Sequence, residues 1–278
     1  MLNPIEGEIF CIDKPLHYTS FAVVKQVRSC LRAHLGTCNL RVGHAGTLDP
    51  LATGVLIVVT GRKTKTIDQL QSGIKEYIAD LRLGETTPSF DMETAVDATY
   101  AWQHITRDQV ERTLQEQFTG TIEQVPPEFS AVKVGGMPAY IMARRGEQVK
   151  IKAKTLVIDE IELLECGLPA EPTLRIRVVC SKGTYIRALA RDIGAALGSG
   201  AHLTALRRTR VGDVRVADCR QLPELISWLD EQQYVMPDEA EERRLAQERI
   251  DNRRRMAELK ARRAAERAQK QARQSQID

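Results

Sequence analysis

The chain has 278 residues, 42% hydrophobic and 28% charged, enough apolar material for one large domain or two modest ones and too much for a disordered or fibrous chain. Its longest apolar run, Val55 to Val59, is too short to cross a bilayer, and Met1 to Glu8 shows neither a basic nor an apolar signal region, so a cytoplasmic location away from membranes is expected. Six scattered cysteines (Cys11, Cys30, Cys38, Cys166, Cys180, Cys219) form no C-x-x-C pair, and the five histidines form no H-x-x-x-H or H-E-x-x-H pattern. Neither a disulfide framework nor a metal site is therefore expected.

In chain order, a first strand is predicted over Glu8 to Asp13. Phe21, Val24, Val27 and Leu31 then share one face of a helix entered through Thr19 and Ser20 as caps. Strands follow over Gly54 to Thr60 and Tyr77 to Leu83. A helix carries Val110, Leu114 and Phe118, with Thr106 and Gln109 spaced as a capping box and Gly120 as the stop. Further β-rich runs cover Phe129 to Val134, Thr155 to Leu164 and Thr173 to Cys180. Two more apolar stripes, Ile186–Leu189–Ile193–Leu197 ended by Gly198 and Leu222–Leu225–Ile226–Leu229, read as helices. Strands and helices mix without a regular βαβ period, so the expected class is α+β.

Charge is unevenly placed. The net +3 resides entirely in residues 238–278, which carry 12 Lys/Arg against 9 Asp/Glu, whereas 1–237 carries 28 of each. Within that neutral body, residues 25–65 hold seven cations (among them Arg28, Arg32 and Arg41) against only Asp49, and 133–154 hold Lys133, Arg144, Arg145 and three further lysines against only Glu147. Residues 85–130 are acidic, with nine carboxylates against Arg107 and Arg112. Such segregation suits a polyanion bound on one face, or equally a solvated surface with no partner. After Pro237 the chain is almost all Glu, Arg, Ala, Gln and Lys, with acid-to-base pairs at i, i+4 such as Glu239–Arg243 and Glu258–Arg262. This predicts a partly helical, mobile tail over 238–278. Leu245, Ile250, Met256 and Leu259 do not sustain a coiled-coil heptad.

Chemistry concentrates in Arg41 to Lys65, where His44, Thr47 and Asp49 crowd a polar loop that runs into an apolar strand. By spacing alone, an Asp before Pro beside Gly-rich backbone is a turn residue. The run Gly43 to Leu56, G-H-A-G-T-L-D-P-L-A-T-G-V-L, nevertheless resembles the signature of TruB-family tRNA pseudouridine synthases. Further segments match in the same order: Asp13-Lys14-Pro15, Lys75-Glu76-Tyr77, Pro126-Pro127 through Ser130-Ala131-Val132-Lys133 to Arg144, Ser181 to Arg187, and Gly200-Ala201-His202 to Arg208. The likeness spans roughly residues 7–215.

That resemblance implies a mixed, mainly antiparallel central sheet of pseudouridine-synthase type with flanking helices. It also implies a catalytic domain over 1–237 and an RNA-contacting insertion at about 120–155. The reaction it implies breaks the uridine N1–C1′ bond, turns the base and rejoins C5 to C1′ at position 55 in the T loop of tRNA, without metal or organic cofactor. Asp49 would be the catalytic carboxylate, Arg187 its cationic partner, and Tyr77 a stacking face and proton acceptor. Tyr185 and Leu206 would line the same pocket, His44 would contact the flipped nucleotide or fill its gap, and Lys14 would hold pocket backbone. Lys133, Arg144 and Arg145 would meet phosphates. tRNA is the expected partner of a monomer with no obligate protein partner. Two features depart from the family pattern: nothing after the catalytic part fits a PUA-type RNA-binding module, and Glu85 to Glu93 lacks the family's T-D-T-x-D run, although Asp91 stands near its last acid. A guide-RNA-dependent enzyme and an RNA-folding factor are the competing readings.

Overall fold

A computed structural model describes every residue except Cys38, Ala131, 146–149 and 275–278, so the family-like segment around Ala131 and the lone acid Glu147 fall partly outside the described residues. Nine strands carry the central sheet: β1 (Ile9–Lys14), β2 (Val42–Ala45), β3 (Ala52–Thr60), β4 (Lys75–Leu83), β5 (Gly120–Gln124), β6 (Lys154–Cys166), β7 (Thr173–Cys180), β8 (Ala201–Val211) and β9 (Arg220–Gln221). They run in the order β9-β1-β3-β8-β4-β7-β6-β5, with β2 pairing β3, and a short strand at Val214–Arg215 completes the ten-stranded sheet against β8. Pairing is antiparallel except for β1 with β9 and β3 with β8. The mixed, mainly antiparallel α+β architecture is thus the expected one.

The longer helices among the described residues are α1 (Ser20–Leu35), α2 (Arg107–Gln117), α3 (Ile186–Ala196), α4 (Leu222–Asp230) and α5 (Glu239–Gln274). Their starts follow the local chemistry. The Thr19 side chain accepts the Ala22 N–H at 3.0 Å, and Thr106 with Gln109 closes a reciprocal capping box. Alternation puts Ala52, Leu56 and Val58 on one face of β3. There Ala52 joins the cluster under α2 and α3, while Leu56 and Val58 join a second cluster under α1 and α4.

Several expectations change. The buried stripe of α1 is Val23, Val24, Val27, Leu31 and Leu35, whereas Phe21 is 63% exposed. The run at 129–134 yields only Lys133–Val134, paired with Met137–Pro138 in a small hairpin. Residues at both ends of the 120–155 insertion belong to the main sheet, because Gly120 to Gln124 pairs with Ile158 to Lys154; only the stretch between them leaves it. The tail begins as part of the body. Leu245 on α5 is 7% exposed and packs in the α1–α4 cluster, and Glu248 is held by Arg41 at 2.7 Å. The other apolar tail positions, Ile250, Met256 and Leu259, are exposed.

Candidate active site

The site forms where β3, β4, β8 and the start of α3 converge. The loop between β2 and β3 carries Asp49, and two anchors fix it. Ser20, the first residue of α1, accepts the Leu48 N–H at 2.8 Å and lies 3.0 Å from the Leu48 carbonyl. Lys14, at the end of β1, is fully buried and points Nζ at the carbonyls of Tyr18 (2.6 Å), Pro15 (2.8 Å) and Pro50 (3.4 Å). Burial lowers the Lys14 ammonium to about 8, against the favourable pull of Asp49 and with Arg208 adding to the lowering.

Arg187, on the first turn of α3, is 5% exposed. Its Nε lies 2.9 Å from Asp49 Oδ2 and 3.7 Å from Asp91 Oδ2, while its terminal nitrogens donate to the carbonyls of Ser89 (3.1 Å) and Phe129 (3.0 Å). Together these bonds keep the guanidinium in one orientation, with one edge turned toward Asp49. Burial raises the Asp49 carboxyl above the ordinary range; Arg187 opposes that, and Asp91 and Glu93 reinforce it. The carboxylate still opens into the cleft, with 38% of its side chain accessible.

That cleft measures about 270 Å³ and is lined by Gly46 to Asp49, Lys75, Tyr77, Tyr185, Arg187, Leu206 and Arg208, among others. Tyr77 projects from β4, 7% exposed. Burial raises its phenol, while Arg208, which hydrogen-bonds it, acts in the opposite direction. Tyr185 sits at the N-terminus of α3, where Gln124 accepts its N–H at 2.9 Å and donates to its carbonyl at 3.2 Å. Leu206 comes from β8, opposite Ala52 and Ala79.

The remaining expected residues lie outside this cleft. His44 sits on β2 opposite Val58, and burial lowers its imidazole. Lys133 is exposed on the small hairpin. Arg144 pairs with Glu93 at 3.0 Å, so it ties the insertion to the acidic segment beside Asp91.

Two residues are more central than their sequence suggests. Asp91, 5% exposed, supplies the second carboxylate on Arg187. Arg208, 1% exposed, bonds the carbonyls of Val55 (2.8 Å), Gly46 (3.0 Å) and Thr47 (3.5 Å), so it braces both ends of the Asp49 loop. The Arg208 backbone crowds β3 so closely that a Cβ at Gly54, which holds φ +102°, would run into the Arg208 carbonyl. In sequence Arg208 is marked by its place at the end of the family-like run Gly200 to Arg208.

The structure brings Asp49, Arg187, Tyr77 and Tyr185 together at one cleft, and comparison with known proteins shows the family. The model for the TruB family pseudouridylate synthase N-terminal domain matches residues 32–186, and that for the tRNA pseudouridylate synthase B C-terminal domain matches 187–247. The chain belongs to the TruB family of pseudouridylate synthases. It is 62% identical over 232 residues to tRNA pseudouridine synthase B of Phocaeicola vulgatus, covering 84% of this chain and 97% of that one. The Bacteroides fragilis protein of the same name is 56% identical, over 85% of this chain and all of its own length. Among solved structures, a Cbf5–Nop10–Gar1 complex matches with a TM-score of 0.58 at 28% identity, over 81% of this chain; the TruB-family chain spans about half (55%) of that longer protein.

Proposed function

We propose that this TruB-family enzyme isomerises the T-loop uridine of tRNA at position 55 to pseudouridine, with Asp49 as the carboxylate at C1′. The observation that carries this reading is the Asp49–Arg187 contact of 2.9 Å at the mouth of the cleft lined by Tyr77 and Tyr185. The relatives that match along nearly their whole length are tRNA pseudouridine synthases, which favours tRNA over a guide-directed target.

The target nucleotide leaves its stack and enters the cleft between Tyr77, Tyr185 and Leu206, where the base lies against aromatic surface. The N1–C1′ bond breaks with its electron pair going to the base, and Asp49 stabilises or captures the electron-poor C1′. The base turns, C5 bonds to C1′, the C5 proton leaves and N1 gains one, so the product is an isomer and the atoms balance. Tyr77, which lines the cleft, relays the C5 proton, giving up its own phenolic proton toward N1 as it takes that one. Arg187 favours the ionised form of Asp49 that this step needs, and its own bonds to two carbonyls keep it from swinging away. Lys14 and Arg208 position the loop from below. Lys133 and the insertion offer positive charge to the RNA backbone, which orients without reading sequence. A tRNA substrate agrees with a cytoplasmic monomer; among the described residues no helix is long and apolar enough to cross a membrane.

Incubating the purified chain with an unmodified tRNA transcript and mapping pseudouridine by position tests the assignment. Asp49→Asn is expected to abolish product while leaving tRNA affinity within a few-fold, since the change removes a charge at the reacting centre and no phosphate contact. Turnover by that variant at the wild-type rate would remove Asp49 from its role.

A further inference from the structure

A second surface leads away from the cleft. The helix α1 begins at its lip: Ser20 is hydrogen-bonded to Leu48, next to Asp49, and the His17 N–H donates to the Pro50 carbonyl at 2.8 Å. From there an outward stripe runs along the helix. Phe21 stands exposed at the lip, Arg28 lies 5.7 Å over its ring, and Arg32 follows one turn later. These positions are spaced seven and four apart, so they share one face over about 16 Å of helix.

The stripe ends in a groove of about 650 Å³, larger than the catalytic cleft. Its walls are α1, the segment entering β2, and α5. Arg28, Arg32, Arg41, Arg249 and Arg253 line it, against Glu248 as its one carboxylate. The second wall is fixed in place: Leu245 is buried, Arg41 holds Glu248, and Arg249 donates to Asn39 Oδ1 at 3.3 Å. Arg41 meets Glu248, Arg249 meets Asn39 and Arg32 donates to the Leu40 carbonyl at 3.3 Å, so these three are held in place while the groove as a whole keeps an excess of positive charge that suits a polyanion. The match to the family's C-terminal model stops at residue 247, before Arg249 and Arg253.

We propose that the outer face of α1 and the first half of α5 form a phosphate-binding track that holds a base-paired part of the RNA substrate beyond the target stem-loop. The proposal rests on the reading of the chain as a tRNA-modifying enzyme. The occupant is RNA because the track is continuous with the catalytic lip, because Phe21 offers an aromatic face where unpaired nucleotides would pass, and because five arginines line the groove against one carboxylate. The charged helix thereby supplies contacts beyond the catalytic part.

The test uses the full-length chain as Arg28→Ala/Arg253→Ala, with Arg262→Ala, far along α5, as the comparison. Affinity is measured across a salt series for a complete tRNA transcript and for the isolated target stem-loop. Losing two phosphate contacts lowers the log Kd against log salt slope by about 1.8, so raising salt from about 50 to 200 mM weakens the double variant about twelvefold less than wild type. At low salt the double variant binds complete tRNA about tenfold more weakly, with KM following, while the stem-loop is bound as by wild type and Arg262→Ala is unchanged. An unaltered slope and Kd on complete tRNA would overturn the track, as would an equal loss on the stem-loop. Pseudouridine formation by the wild-type chain is scored separately, so loss of the functional reading and loss of the track are distinguishable.

Discussion

Replacing Asp91 by asparagine tests the electrostatics of the site most directly. Arg187 Nε lies 2.9 Å from Asp49 Oδ2 and 3.7 Å from Asp91 Oδ2, so these oxygens are at most about 6.6 Å apart, the two contacts laid end to end. Two like charges at that separation repel by about 2.5 kcal/mol at an effective dielectric near 20. Water reaches Asp49, whose side chain is 38% accessible, so we discount this to about 1 kcal/mol. The sign follows from which form the repulsion disfavours. Asp91 raises the Asp49 carboxyl, and its removal lowers it, so Asp49 stays ionised to more acidic pH. The acid limb of the kcat/KM profile therefore moves to lower pH. On that limb the variant, scaled to its own plateau, gains about fivefold. The assay is pseudouridine formation in a tRNA transcript at subsaturating substrate, from neutral pH downward. A limb that stays put, or moves upward, would show that Asp91 does not act on Asp49 or that Asp49 does not set the limb.

Gly54→Ala forces a side chain against the Arg208 carbonyl at a positive φ, and should destabilise the fold by about 2–4 kcal/mol and reduce activity with it. Chemical denaturation with a midpoint equal to wild type would contradict the close β3–β8 approach. Leu245→Ala should cost about 2 kcal/mol in the same measurement and speed hydrogen exchange in the first turns of α5. Unchanged exchange there would mean that those turns contribute nothing to the body.

Much of the framework was readable because it depends on neighbours in sequence. The caps at Thr19 and Thr106 sit three residues from the N–H groups they satisfy, so the helix starts are local chemistry. Alternating apolar residues marked β4, β6 and β7. Misjudged elements are those whose partners lie far away. Strand β8, in the middle of the sheet, escaped because Arg207, Arg208 and Arg210 break its apolar alternation. Arg208 is buried only because three carbonyls, some 150 residues distant, meet its guanidinium. Phe21 failed in the opposite direction, an apolar residue left outside because Val23 took the inward position.

The sequence alone determined the α+β class, from residue type and local spacing, while Asp49, which spacing reads as a turn residue, became a candidate through the likeness of Gly43 to Leu56 to the TruB-family signature. Tertiary structure decided what Asp49 meets. Arg187 lies 138 positions further along the chain, and only the packing of α3 beneath the insertion and the 85–93 segment brings it to 2.9 Å, with Asp91 as a competing carboxylate. The same holds for the tail: its composition specified a charged helix, but whether that helix would be solvated or docked depended on a pocket for Leu245 between α1 and α4, which exists only once those helices have packed.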